Sequence, residues 1–123
     1  MAACHRRPTM DFAAIEAILP TRPDSALAIL DTLHTDPNDF TAKDRAHYYL
    51  LLTEAMDKCY LTHTTDSLIR LSADYYAAHH DNPRYAKALY LQGRIYEDWH
   101  RNDQAVACWI KALDYGKDSE DYF

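Results

Sequence analysis

Apolar residues recur at intervals of three and four along most of this chain, and polar or turn-forming stretches divide them into six amphipathic segments. Residues at this spacing lie on one face of an α-helix, so each segment predicts a helix with one buried side. No run alternates apolar and polar residues with β-branched enrichment, as a half-buried strand does. The pattern therefore predicts an all-α fold of three helix pairs. The six predicted helices cover about residues 10–19, 26–33, 41–60, 66–80, 83–99 and 103–115.

Proline and capping residues mark the first helix boundaries. Pro20 ends the first helix, because proline cannot continue the hydrogen-bond ladder and restricts the residue before it. Asp24 or Ser25 is the predicted N-cap of the second helix. The third helix opens with Thr41-Ala42-Lys43-Asp44, which resembles a capping box with Asp in place of Glu or Gln.

Asparagine, proline and glycine mark the last boundaries. Asn82 is the predicted cap of the fifth helix, and Pro83 suits the first helical position, where its missing N–H costs nothing. Asn102 or Asp103 is the predicted cap of the sixth helix. Gly116 is typical of the left-handed residue that stops a helix.

Small and aromatic residues alternate across the fifth and sixth segments. Two antiparallel helices pack closely only where small side chains lie at the crossing and large ones lie beside it. The residues of this pattern are Leu89, Gly93, Tyr96, Ala105, Trp109 and Ala112. A step of 34 residues back from the last three reaches Leu71, Tyr75 and Ala78, which with Leu68 are the predicted buried face of the fourth helix.

This pattern resembles a tetratricopeptide repeat, which is a helix hairpin of about 34 residues. Residues 86–115 carry the resemblance, although Gln92 departs from the usual Leu and Gly116-Lys117 replaces the terminal Pro. Residues 41–80 resemble a degenerate unit and residues 10–34 a shortened one. The resemblance implies a right-handed superhelical array of about three antiparallel hairpins over residues 10–116, which binds a protein or peptide in its concave groove.

Three stretches also resemble a group of tetratricopeptide proteins common in gut Bacteroidetes, whose members are typically anchored in the cell envelope. They are residues 22–27, 49–55 and 65–70. Ala2-Ala3-Cys4 resembles the end of a bacterial lipoprotein signal, although the apolar run that precedes such a cysteine is missing. Cys4 is therefore a candidate lipidation site for an envelope protein. The alternative is a chance tripeptide in an ordinary cytoplasmic N-terminus. In either case, we predict residues 1–9 to be a flexible segment.

The resemblance implies that the groove side of the fifth helix binds the partner. The residues on that side are Lys87, Tyr90, Arg94, Glu97 and Asp98. Tyr and Arg often anchor partners, because each gives a large contact area or several donors at a small entropy cost. The alternative is a solvated helix surface on which Arg94 pairs with Glu97 or Asp98.

The sixth helix carries more apolar residues than one neighbouring helix covers. Repeat arrays normally end in a helix with a polar outer face, and residues 117–123 offer only a tail or the start of a missing repeat. We therefore predict that this face packs against a further repeat or against a second copy in a homodimer. The face consists of Val106, Trp109, Ile110 and Leu113.

Charge and composition exclude several classes of function. The net charge of −6 argues against a nucleic-acid surface, and no segment has the roughly 20 apolar residues of a membrane span. Cys59 and His63, with the run His79-His80-Asp81, offer metal ligands, but a metal site needs three or four ligands that converge. The catalytic motifs G-x-S-x-G and H-E-x-x-H and the phosphate-binding glycine loop are missing from the sequence.

The sequence therefore predicts a non-catalytic scaffold that binds a protein or peptide and holds neither a metal nor a cofactor. The first alternative is an N-terminal regulatory or sensor module of a larger envelope or transcription-regulatory protein. The second alternative is a small helical enzyme or metal-binding protein.

Overall fold

The structure, a computed structural model, describes residues 11–33 and 36–117, and its regular elements in these ranges are all helical. The six predicted helices and the all-α class are confirmed. A single 3₁₀ turn, Pro37–Asp39, lies between the second helix and the third. The helices are α1 (Ala13–Ile18), α2 (Pro23–Asp31), α3 (Ala42–Lys58), α4 (Ser67–Ala78), α5 (Asn82–Asp98) and α6 (Asn102–Gly116). Cys4 and the predicted tail after Lys117 lie outside the described residues.

The helices pack in chain order, and α3 joins two apolar cores. Each helix contacts the next one, and α3 also contacts α5. Leu51 and Ala55 of α3 face a core that also holds Phe12, Leu30 and Phe40. The Ala46 and Leu50 side chains of α3 lie in a second core with α4, α5 and α6. None of the described helices combines the length and apolarity that a membrane crossing requires.

The Trp109 side chain of α6 packs against Gly93 of α5, as the pattern of small and aromatic residues predicts. A Cβ atom on Gly93 would lie 2.3 Å from Trp109 Nε1. The Trp109 indole N–H donates a hydrogen bond to the Tyr90 carbonyl oxygen at 3.2 Å. The indole therefore lies directly against the backbone of α5, and only a residue without a side chain fits there.

The buried face of α4 differs from the prediction by one residue. Leu71 is 37% exposed and Ala78 is also exposed. The residues that are buried are Ile69, Ser72, Ala73 and Tyr76. Ser72 Oγ donates to the Ala46 carbonyl oxygen at 2.7 Å, which places Ser72 at the crossing of α3 and α4.

The 34-residue step places the buried Ala105 and Ala112 on the exposed Leu71 and Ala78, whereas a step of 33 residues relates part of α4 to α6 but still places Ala112 on the exposed His79. The 33-residue step aligns Ser72 with Ala105 and Tyr76 with Trp109, small on small and aromatic on aromatic. Because Tyr75 and Tyr76 are adjacent, either step matches an aromatic residue. Only the packing distinguishes the two tyrosines.

Side chains cap α3 and α5. Thr41 Oγ accepts the Asp44 N–H at 3.1 Å, which confirms the capping prediction for α3. The cap of α5 is Asp81, whose carboxylate accepts the Arg84 N–H at 3.3 Å, so Asn82 was the wrong choice by one residue. Both caps satisfy backbone donors that the first helical turn leaves without partners.

At α2 and α6 the predicted caps lie inside the helix. Helix α2 begins at Pro23, so Asp24 and Ser25 belong to its first turn. Helix α6 begins at Asn102 and includes Asp103. Each helix is instead preceded by an arginine whose side chain forms no capping bond. Asp, Ser and Asn therefore indicated where these two helices begin. They did not identify the N-cap itself, which is Arg22 in α2 and Arg101 in α6.

Three helices end in a left-handed residue that is not glycine. These residues are Tyr60, His80 and His100, with φ of 59°, 55° and 58°. In each case the next N–H bonds to a carbonyl five residues back, as Leu61 does to Met56 at 3.0 Å. This is the Schellman arrangement, which satisfies the last carbonyls of the helix. Gly116, the predicted left-handed stop, lies instead in the last turn of α6 without a positive φ.

We expect Tyr60→Gly to raise the free energy of unfolding by about 1 kcal/mol, because the left-handed conformation costs a residue with a Cβ about 1–2 kcal/mol. The Tyr60 side chain is 94% exposed, so its removal loses little contact. Urea denaturation measures the change. As a control, Ala107→Gly at an exposed position within α6 should lower stability by about 1 kcal/mol. Equal losses in the two variants would contradict the role of the backbone at Tyr60.

Candidate functional site

A cavity of about 680 Å³ lies between α1, α3 and α5. Its apolar floor includes Leu50, Leu51 and Leu91, and charged side chains stand around that floor. The lining residues are Glu16, Leu19, Pro20, Leu50, Leu51, Glu54, Asp57, Lys58, Asp81, Pro83, Arg84, Lys87, Tyr90 and Leu91.

A second cavity of about 410 Å³ adjoins the first one. The two share Pro20, Asp57 and Lys58, and the second extends to Tyr60 and Arg94. Together they form one continuous depression, here called the groove. The groove runs along α5 from Arg84 to Arg94, over about 15 Å at 1.5 Å per helical residue.

Helical periodicity places the groove side chains on the facing sides of α3 and α5. Lys87, Tyr90 and Arg94 are spaced by three and four residues, so they share one side of α5. On α3, Glu54 shares a side with Asp57 and Lys58 for the same reason. The structure thus brings Lys87, Tyr90 and Arg94 together at the groove, and their contact with a partner stays a prediction.

Glu54 lies between two lysines at the middle of the groove. Lys87 Nζ is 3.2 Å from one Glu54 carboxylate oxygen and Lys58 Nζ is 4.0 Å from the other. The Glu54 side chain is only 11% exposed, whereas both lysine side chains are more than a third exposed. Two ammonium groups therefore share one largely buried carboxylate, and this part of the groove has an excess of positive charge.

Arg94 lies among three carboxylates at one end of the groove. Its guanidinium is 3.2 Å from Asp57 and 3.7 Å from Asp98, and it also bonds Glu97. The interpretation that Arg94 pairs with Glu97 or Asp98 is confirmed for both residues. Glu97 and Asp98 bind Arg94 and line neither cavity. Their predicted contact with a partner stays a prediction.

His63 connects the link between α3 and α4 to α3 and to the C-terminal end of α5. Its buried Nε2 lies 3.1 Å from Asp57 Oδ1. Its backbone N–H donates to Asp98 at 3.4 Å, and Trp99 Nε1 donates to its carbonyl oxygen at 2.9 Å. In the ranges that the structure describes, no group of three or more His, Cys, Asp or Glu side chains is arranged to hold a metal. Cys59, another of the candidate ligands, is a free thiol.

Local contacts shift the pKa of two groove residues. Burial raises the pKa of the Asp57 carboxyl, but hydrogen bonds from His63 and Arg94 outweigh burial and lower it below its ordinary value. Burial, and then the charge of Asp57, raise the pKa of the Tyr90 phenol, which therefore stays protonated at neutral pH.

Glu16 connects α1 to both of the other helices that line the groove. It contacts His47 of α3, and Arg84 of α5 lies 4.0 Å from the same carboxylate oxygen. Arg84 also pairs with Asp81 at 2.9 Å. Two carboxylates therefore surround one guanidinium at the end of the groove opposite Arg94.

The sequence prediction missed the α1 and α3 sides of the groove. Helices α3 and α5 both have 17 residues and start 40 residues apart. A step of 40 aligns Leu50 with Tyr90 and Glu54 with Arg94. A comparison of α3 with α5 at a spacing of 40 residues, rather than 34, would have identified the side of α3 that faces the groove.

The predicted self-association face of α6 is exposed apart from one residue. Val106, Ile110 and Leu113 are 48%, 64% and 52% exposed. Trp109 was wrongly included, because it packs against Gly93 on the inner side of the helix. The contact of this face with a second chain or a further repeat stays a prediction.

Comparisons with protein-family models, with curated proteins and with solved structures found no match to this chain. The tetratricopeptide and Bacteroidetes resemblances therefore remain predictions from the residues. The groove combines buried leucines with ordered charges, and it is the surface from which a function can be inferred.

Proposed function

We propose that this protein is a non-catalytic helical scaffold that binds an extended segment of a protein or peptide in the groove. The observation that carries the proposal is that three alternate helices line one elongated depression, with leucines at its floor and charged side chains around it. Above the buried leucines, the exposed Pro20 and Pro83 and the half-exposed Tyr90 offer a peptide apolar contact, and the surrounding charges orient it.

The distribution of the helices supports a tetratricopeptide-like array. The groove is lined mainly by residues of α1, α3 and α5 and the links beside them; α2 contributes only its first residue, Pro23, and in the described ranges α4 and α6 contribute none. The first helix of each hairpin thus supplies most of the groove lining. This is the layering expected of stacked helix hairpins, whose concave surface binds partners.

The chemistry of the groove also favours binding over catalysis. Among the described residues, its lining contains no Ser, Thr, Cys or His. Its four carboxylates, those of Glu16, Glu54, Asp57 and Asp81, are all held in ion pairs with Lys or Arg. Carboxylates that are already paired with cations suit the recognition of a charged ligand more than proton transfer.

We expect peptides selected on the wild-type protein from a random displayed library to lose about tenfold or more in affinity on Tyr90→Ala, because a partly buried tyrosine in a groove is a typical binding anchor. Isothermal titration calorimetry measures the dissociation constants. Tyr75→Ala is the matched control, since Tyr75 stacks on His79 of the link after α4, away from the groove.

Both variants should keep the helical circular dichroism signal of the wild type. Selected peptides that bind Tyr90→Ala as tightly as the wild type would place their site elsewhere. A library that yields no binding peptide would remove the proposal.

A further inference from the structure

We propose that the peptide bound in the groove carries one acidic side chain between two basic ones. This inference rests on the proposed function and deepens it by naming the charge order of the ligand. It follows from the order in which excess charge changes sign along the groove.

The middle of the groove attracts an acidic side chain. Lys87 and Lys58 share the single carboxylate of Glu54, at 3.2 Å and 4.0 Å. Each ammonium group has three N–H donors, and Glu54 occupies only part of this capacity. A ligand carboxylate above the two lysines would complete their hydrogen bonds and balance the excess positive charge.

Both ends of the groove attract basic side chains. At one end Arg84 faces two carboxylates, one of which is Asp81 at 2.9 Å. At the other end Arg94 faces Asp57 of the groove lining and, just outside that lining, Glu97 and Asp98. Each arginine is therefore outnumbered, and both ends have an excess of negative charge. Along α5, the excess charge of the groove is therefore negative, then positive, then negative. A complementary ligand carries a basic, an acidic and a basic side chain in that order.

The helix geometry gives the spacing of the ligand charges. Arg84 and Lys87 lie about 4.5 Å apart along the axis of α5, and Lys87 and Arg94 lie about 10 Å apart, at 1.5 Å per residue. An extended peptide advances about 3.3 Å per residue. The acidic residue of the ligand is therefore one or two positions from one basic residue and about three positions from the other.

Synthetic peptides test this order directly. The probes are acetylated and amidated Lys-Ala-Glu-Ala-Ala-Lys and its reversed sequence, because the groove charges do not determine the direction of the chain. We expect at least one of them to bind about tenfold more tightly than the charge-inverted peptide Glu-Ala-Lys-Ala-Ala-Glu in calorimetric titrations at low salt.

A double-mutant cycle then connects the central acid to its site. We expect Lys87→Gln to weaken the tighter peptide about fivefold or more and to leave its Gln-centred version unchanged, because that version lacks the carboxylate. Lys43→Gln, at an exposed lysine of α3 outside the groove lining, is the control and should bind both peptides as the wild type does.

The outcomes separate the inference from the proposed function. If the library peptides depend on Tyr90 but show no basic–acidic–basic order, the inference is wrong and the groove remains a peptide site. If the charge-inverted peptide binds as tightly as the probes, the inference is also wrong. If no peptide binds, both are wrong.

Discussion

Gly93→Ala should destabilise the protein by about 2–3 kcal/mol, although alanine is the better helix former. The new Cβ atom would lie 2.3 Å from Trp109 Nε1, well inside van der Waals contact. The indole cannot move away without breaking its 3.2 Å hydrogen bond to the Tyr90 carbonyl oxygen. Since α5 carries one side of the groove, the displaced indole would also disturb the helix that binds the peptide. Urea denaturation monitored by circular dichroism measures the loss.

A double-mutant cycle with Trp109→Ala shows whether the clash is the cause. In that background the methyl group meets no indole, so Gly93→Ala should be neutral or stabilise the protein by up to about 1 kcal/mol. The interaction energy between the two sites is then at least as large as the cost of Gly93→Ala alone. If Gly93→Ala costs the same in both backgrounds, the close approach of α5 and α6 at this residue is not what makes glycine necessary.

Arg94→Met should lower the free energy of unfolding by about 1–3 kcal/mol at pH 7, because it leaves charged acceptors without their donor. Arg94 is the cation shared by Asp57, Glu97 and Asp98, and the Asp57 side chain is only 12% exposed. The matched control is Arg70→Met. Arg70 is 64% exposed and pairs with Asp66 at 3.9 Å across one helical turn. An exposed pair of this kind contributes about 0–1 kcal/mol, so the control should change stability little.

The cost of Arg94→Met should depend on pH in one direction. Arg94 is one of the groups that lower the pKa of Asp57 in the folded state. A carboxyl with a lowered folded pKa contributes stability that is fully present above its unfolded pKa, about 4, and is lost as the pH falls through the folded value. The difference between the wild type and Arg94→Met should therefore be constant from pH 7 to about pH 5 and shrink below about pH 4. Urea midpoints at pH 3, 5 and 7 measure it, and a difference that grows in acid would refute the assignment.

The positions of the helices could be predicted from the sequence, because helix formation depends on local residue patterns. Apolar spacing of three and four depends only on neighbouring residues, so it located all six described helices. The Gly93 and Trp109 pair was also accessible, since close helix packing leaves its own residue pattern. Capping was predicted less well, because Asp81 and Asn82 are both good caps and one residue separates them.

Only part of the groove could be predicted from the sequence. Lys87, Tyr90 and Arg94 follow from the face of a single helix, whereas their partners Glu54 and Asp57 come from a helix more than 30 residues earlier. Nothing local specifies which acid meets which base. The pairing depends on how α3 and α5 lie side by side, and that alignment comes from the apolar cores on either side of α3.

The sequence by itself determined an all-α chain of six helices and the contact at which the last two cross, because periodicity and the need for a small residue are local properties. The tertiary structure alone decided which side of α4 is buried, which cations share which carboxylates, and how charge is ordered along the groove. These features depend on helix register and on distances between residues far apart in the chain. A shift of one residue moves a helical side chain by about 100° around the axis, so Tyr75 and Tyr76 exchange roles without any change in the local pattern.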